Sequence, residues 1–242
     1  MSGYTFNVEG YSTLVRAFIE AGYQPVGYRD FTPGPKRLVL RHDIDISIEH
    51  AVRQATVNAS LGVSATFFFL ITAEQYNLFS ALGRSALKAI LGDGQRIGLH
   101  FDASAYPADA DIQACAGAEC VALASLCETQ LEAVSFHRPV KALQGLTGDF
   151  AGYPHAYEPR FFEAIEYCSD SRGRFHHGGP LERESFAAGA SFQLLTHPIW
   201  WMRDEELSPI DALLNFLARR EPQLRQNLAD NCSPFADYLR RI

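Results

Sequence analysis

Short, near-continuously apolar runs alternate along the chain with longer segments whose apolar residues recur at helical spacing. The runs at 38–41, 65–71, 96–101, 133–136, 167–170 and 192–196 predict β-strands. The segments at about 48–61, 78–91, 111–131, 159–166 and 205–219 predict helices. Ahead of the first run, "YSTLVRAFIEAGY" carries the helical period and stops near Gly22. The last twenty residues predict one or two further helices. Strands without a polar alternation, each followed by a helix, indicate a parallel sheet covered on both faces. The expected fold class is therefore α/β, an incomplete barrel or an open doubly wound sheet, with its site at the C-terminal strand ends. No repeat or Pro/Gly-rich linker divides the 242 residues, so one domain is expected, with a helical lead-in over about 1–36 and closing helices over about 205–242.

The strand ends carry the chemistry. The first run closes in "LVLRHDIDIS" with His42, Asp43 and Asp45. Residues i and i+2 of a strand face one side, so Asp43 and Asp45 are expected side by side. Two carboxylates held together repel and call for a metal, an arginine or a shared proton. The third run ends with His100 and Asp102, the fourth with His137 and Arg138, the fifth with Asp170 and Arg172. The sixth ends with His197, followed by Trp200 and Trp201. Four of the eight histidines thus stand at strand ends that a curved parallel sheet would gather at one rim. Each has a plainer reading alone. Asp45 before "ISIEH" suits a helix N-cap, "HRP" suits an ordinary turn, and the two tryptophans suit wall packing as well as sugar stacking. His50 and His155 read as structural. His176 and His177, in "FHHGG", read as an exposed loop, with a substrate role as the alternative.

Imidazoles with carboxylates suit Zn²⁺ first, and Fe²⁺, Co²⁺, Ni²⁺ or Mn²⁺ as alternatives. A metal with an open position, a carboxylate base and an imidazole acid are the parts of metal-assisted hydrolysis.

Composition narrows the setting. A net charge of −7 without a basic run argues against nucleic acid or anionic membrane as partner. No apolar stretch approaches the roughly 20 residues of a membrane span. "MSGYTFNVEG" has no signal-peptide pattern, so the cytoplasm is the expected compartment. The five cysteines, Cys115, Cys120, Cys127, Cys168 and Cys232, are odd in number and lack zinc-knuckle spacing, so reduced thiols are expected.

These motifs, in this order, resemble the NodB-type polysaccharide deacetylases of carbohydrate esterase family four in the broad sense. Closer still is the "HDVD"-type branch associated with O-antigen and capsule sugars, represented by the WbmS family. The resemblance covers about 38–201. Asp43 and Asp45 match the paired aspartates, His100 in "GLHFDAS" the metal-binding histidine motif, Arg138-Pro139 the Arg-Pro motif and His197 in "LLTHP" the late histidine. It implies a distorted (β/α)7 barrel that hydrolyses the acetamide of an N-acetylated sugar or sugar nucleotide. It also implies Asp43 as base, Asp45 as metal ligand, His197 as acid, and Asp170 supporting a catalytic Arg138. Arg172, Trp200, Trp201 and His42 are the candidate substrate contacts. Two departures stand out: Ile44 separates the aspartates, and the family's second histidine is Ser104 here. Which aspartate is base and which is ligand stays open. The third ligand lies among Asp102, His137 and His197. His137 is expected because its strand should neighbour that of His100, and Asp102 is the runner-up.

Overall fold

The computed structural model describes residues 5–138 and 143–241. Two compact units divide the chain, one ending at Glu206 and the other running Leu207–Ile242.

Among the described residues, seven parallel strands build the first unit: β1 (Gln24–Pro25), β2 (Arg37–Ile44), β3 (Thr66–Phe69), β4 (Arg96–Phe101), β5 (Val134–Phe136), β6 (Glu166–Ser169) and β7 (Phe192–Thr196). Their order is β5-β4-β3-β2-β7-β6, with the short β1 added beside β2. The sheet curls into a half-barrel, which agrees with the incomplete barrel expected from the sequence. The two-residue β1 was not among the expected strands.

Helices α1 (Val8–Glu20), α2 (Ile48–Ser60), α3 (Ala81–Gly92), α4 (Ile112–Cys127), α5 (Pro159–Phe162), α6 (Glu184–Ala187) and α7 (Pro198–Trp201) connect or flank the strands. Side-chain caps start several of them: Asn7 for α1, Ser47 for α2, Ser80 for α3 and Asp111 for α4 each accept a first-turn N–H. The cap of α2 is Ser47, not Asp45, which leaves the Asp45 carboxylate unused by the helix. Helix α4 ends earlier than its apolar pattern suggests because Glu128 turns left-handed (φ 52°). Helix α5 is shorter than expected because the chain is already paired with β7 at Glu166.

Strand parity sorts the core. On β3, Phe67, Phe68 and Phe69 are all buried because helices cover one face and the barrel interior takes the other. Phe68 faces inward opposite Gly98. A Cβ at Gly98 would lie 2.5 Å from the Phe68 ring and 2.7 Å from the Ala133 carbonyl, so only glycine lets the ring fill the barrel there. The same inward parity takes in Arg41, Asp43, His100, Ser135, Tyr167, Ser169, Gln193 and Leu195, read from the registers.

The second unit is a helical pair, α8 (Pro209–Asn231) and α9 (Ser233–Leu239). Ser208 caps α8 and Pro209 stands at its first position, a common helix start. The helix runs twelve residues beyond the expected end at 219, passing through Pro222. Among the described residues, no helix is long and apolar enough to cross a membrane.

Candidate metal centre

Strand parity brings four of the sequence's candidates to one point at the C-terminal mouth. Asp45 follows β2, His100 stands near the end of β4, His137 follows β5 and His197 follows β7. His100 Nε2 lies 3.2 Å from Asp45 Oδ1 and 3.2 Å from His137 Nδ1, and His137 Nδ1 lies 3.6 Å from Asp45 Oδ1. The mean side of this triangle is about 3.3 Å, the edge of a tetrahedron whose corners lie roughly 2.0 Å from its centre, the bond length of zinc to nitrogen or oxygen. The triangle therefore can hold a metal ion.

Two further observations fit a cation. Asp45 Oδ1 is buried and has no hydrogen-bond donor of its own, an arrangement that is costly unless something positive completes it. His100 Nδ1 lies 2.7 Å from Ser135 Oγ. Donation from Nδ1–H to the serine leaves the Nε2 lone pair turned to the triangle, the usual outer support of a metal-binding imidazole. Burial pushes the Asp45 carboxyl up, but His100, His137 and His197 more than offset it and hold it well below the ordinary value.

Asp43 borders the triangle, with Oδ2 3.5 Å from His100 Nε2. Its partner is Arg41, two residues back on the same strand face: Nε donates to Oδ1 at 2.9 Å and Nη2 to Oδ2 at 2.8 Å. Both side chains are buried. Burial raises the Asp43 carboxyl, and Arg41 and then His100 pull it below the ordinary value. The guanidinium also lies 4.9 Å from the centre of the Tyr157 ring and 5.7 Å from that of Phe68. The two aspartates thus meet two different surroundings, an arginine for Asp43 and, for Asp45, a triangle that can hold a metal ion.

Across the mouth, His197 Nε2 lies 3.7 Å from Asp45 Oδ2, while its Nδ1 lies 2.6 Å from Asp170 Oδ1. Asp170 Oδ2 accepts from the His197 backbone N–H at 3.0 Å and from Trp201 Nε1 at 2.6 Å. Burial pushes the imidazole's pKa down, but Asp170, with Asp45 and Asp43 behind it, raises it to about 9. His197 is accordingly a cation at neutral pH. A cation bound at the triangle would draw that value back toward neutrality.

The remaining candidates lie elsewhere. Arg138 does not meet Asp170: it is exposed, in a left-handed conformation (φ 46°), and the oxygens of Asp170 are taken by His197 and Trp201. Pro139, the other half of that motif, lies outside the described residues. His42 faces away from the mouth, because one step along β2 reverses the side chain. It is fully buried against Thr196, Gln54, Asn58 and Tyr11 and is no substrate contact. Trp201 is fully buried beside Phe6 and Tyr11, and Trp200 is nearly so, which leaves no ring face for a sugar. Asp102 bonds the backbone and hydroxyl of Ser104 at 2.9 and 2.6 Å and is outside the triangle. Arg172 is exposed and lines a separate cavity with His176 and His177.

Sequence reasoning missed Arg41, Ser135 and the true partner of Asp170. Arg41 was findable: a lone charge in an apolar strand, in step with Asp43, announces an inward ion pair. Ser135 carries no such mark. Comparison of the chain with protein-family models gave no match, and comparison with curated proteins found no similar one.

Proposed function

We propose that this protein is a metal-dependent deacetylase that hydrolyses the acetamide of an N-acetylated sugar or sugar nucleotide in the making of surface polysaccharide. The single observation that carries the reading is the Asp45–His100–His137 triangle with the Asp43 carboxylate on one flank and the His197 imidazole on the other. The resemblance of the motifs to NodB-type deacetylases supplies the choice of an acetylated sugar. A zinc-like ion held by those three side chains would supply Lewis acidity to the amide carbonyl and acidify a water at neutral pH.

The chain's own groups divide the proton transfers. Asp43, kept ionised by Arg41, accepts a proton from the attacking water through Oδ2, the oxygen nearer the triangle. His197 donates a proton to the departing nitrogen as the amide C–N bond breaks. Asp170 fixes the His197 ring through Nδ1, which directs Nε2 at the mouth. The products are acetate and a free amine. Arg41 stands beside the base as the arginine of the site, the place that the resemblance gave to Arg138.

A sugar-binding module without hydrolysis would need accessible stacking rings, and the buried Trp200 and Trp201 give that reading no support. The test is acetate release from N-acetylglucosamine and its uridine-diphosphate conjugate, with protein loaded with zinc and with the same protein after chelation. Release that depends on zinc is the expected result. Full release after exhaustive chelation, or none from any acetylated sugar tried, would refute the proposal.

A further inference from the structure

A cavity of about 410 Å³ is lined by Tyr167, Ser169, Ser171, Arg172, His176, His177, Gly178 and Arg183. That volume falls in the range of small-molecule sites. None of these residues is acidic, although the chain as a whole has a net charge of −7. Glu166 is engaged by Arg183 at 3.0 Å, and Glu182 accepts from the Gly179 N–H at 3.3 Å. The Arg172 guanidinium has no carboxylate or hydrogen-bond partner among the described residues. Its backbone is left-handed (φ 60°), in a short turn closed by the N–H groups of Gly173 and Arg174 on the Asp170 carbonyl at 2.9 and 3.2 Å. A non-glycine residue held there is strained, and such strain gathers where a side chain must be presented in one direction.

The cavity is linked to the candidate metal centre through β6, which pairs with β7, the strand that His197 follows. Tyr167 and Ser169 pair with Gln193 and Leu195 and share the inward parity of Asp43 and His197. Asp170, which holds His197, sits between Ser169 and Ser171. Tyr167 is also linked to the floor of the site by rings: it lies 4.9 Å from Phe162, Phe162 lies 5.3 Å from Tyr157, and Tyr157 lies 4.9 Å from the Arg41 guanidinium.

We infer that this cavity is a phosphate subsite, in which Arg172, His177 and the hydroxyls of Tyr167, Ser169 and Ser171 bind the phosphate or pyrophosphate of the substrate. A guanidinium with imidazole and hydroxyl donors matches the several oxygens of a phosphate ester. Joined to the proposed deacetylase activity, and resting on that reading for this step only, the subsite makes the substrate an acetamido sugar carrying a phosphate or nucleotide diphosphate. A polymer without phosphate would leave the cavity's donors unmatched.

The test is calorimetric titration of the full chain with glucose 1-phosphate and, in parallel, with glucuronate, at 150 mM salt. The wild type should bind the phosphate ester more tightly than the carboxylate. Arg172→Gly should weaken phosphate binding at least about tenfold and melt no lower than the wild type, since glycine relieves the left-handed strain. Arg172→Lys should recover part of the affinity. Glucuronate binding as tight as glucose 1-phosphate would overturn the inference by making the site one for carboxylates. Phosphate binding that survives Arg172→Gly and vanishes in His137→Ala would overturn it by placing the phosphate on the metal triangle. Neither arm needs turnover, so failure of acetate release and failure of the subsite are separate results.

Discussion

His42 and His100 both stand near the ends of strands, and both are buried, at 0% and 2% exposure. Their surroundings differ. The His42 ring has a partner at every edge: Nδ1 meets Thr196 Oγ1 at 2.8 Å and Gln54 Nε2 at 3.1 Å, and Nε2 meets Asn58 Nδ2 at 3.0 Å and Tyr11 OH at 3.3 Å. His100 Nδ1 meets Ser135 Oγ, and its Nε2 lies 3.2 Å from a second imidazole nitrogen and 3.2 Å from a buried carboxylate oxygen that lacks a donor. A closed hydrogen-bond set holds a sheet to its helices. A converging set of imidazole and carboxylate ligand atoms is a place for a cation. Burial and position along the strand do not separate the two cases, but the kind of partner does: neutral amides and hydroxyls around His42, a carboxylate and a second imidazole around His100 Nε2.

The comparison breaks first at Asp43. Asp43→Asn keeps the shape of the carboxylate and removes its capacity to take a proton, so kcat should fall by about 10³-fold or more while zinc content persists. The change also leaves Arg41 buried without a counter-charge, which costs about 3–5 kcal/mol, so turnover is to be scaled to folded protein by circular dichroism. Loss of zinc in this variant, with Asp45→Asn retaining it, would exchange the two aspartates' roles.

Next in size is Asp170→Asn. His197 loses the carboxylate that raises its pKa and fixes its ring, so kcat should drop by about 10²-fold with KM little changed. The basic limb of the pH–rate profile should move to lower pH. A rise in KM alone, with the limb unmoved, would make the Asp170–His197 pair a binding element.

The His42 layer should respond in stability and not in chemistry. Burial pushes its pKa down to about 3, with Asp43 offsetting only part of the effect. The folded state therefore refuses a proton that the unfolded chain accepts below its ordinary value of about 6.5. The contribution to stability is full above that pH and declines as pH falls toward 3. Between pH 6.5 and 5 the loss is roughly 2 kcal/mol. In urea titrations His42→Gln should be less stable than the wild type at pH 7.5 and should lack this part of the acid slope, with zinc content unchanged. An identical slope in the variant would show that His42 is not held neutral.

How far this contrast was readable in the sequence follows from parity. The period of two places Asp43 and Asp45 together, and with strand ends located to within a residue it gathers His100, His137 and His197 at the same mouth. The same rule turns His42 outward, away from the substrate contact expected of it. A motif read as a block hides the alternation inside it. The Arg138–Asp170 pair failed for another reason: partners across a barrel mouth depend on loop backbone, and the left-handed turn at Arg138 has no glycine to announce it. The long α8 outran its expected end because Pro222 reads locally as a helix stop.

The smallest expected effect is that of Asp102→Asn. Its carboxylate only caps the Ser104 turn, so stability should change by about 1 kcal/mol or less and zinc binding not at all. Reduced zinc affinity, read by competition with a chromogenic chelator, would bring Asp102 back as a ligand.

The central claim is that Asp45, His100 and His137 hold one metal ion. It is tested most directly by zinc stoichiometry after chelation, reloading and dialysis, for the wild type and His137→Ala side by side. The wild type should retain one zinc per chain, and His137→Ala should bind at least about tenfold more weakly and lose most of it in dialysis. Full occupancy in His137→Ala, or no zinc retained by the wild type, would contradict the claim.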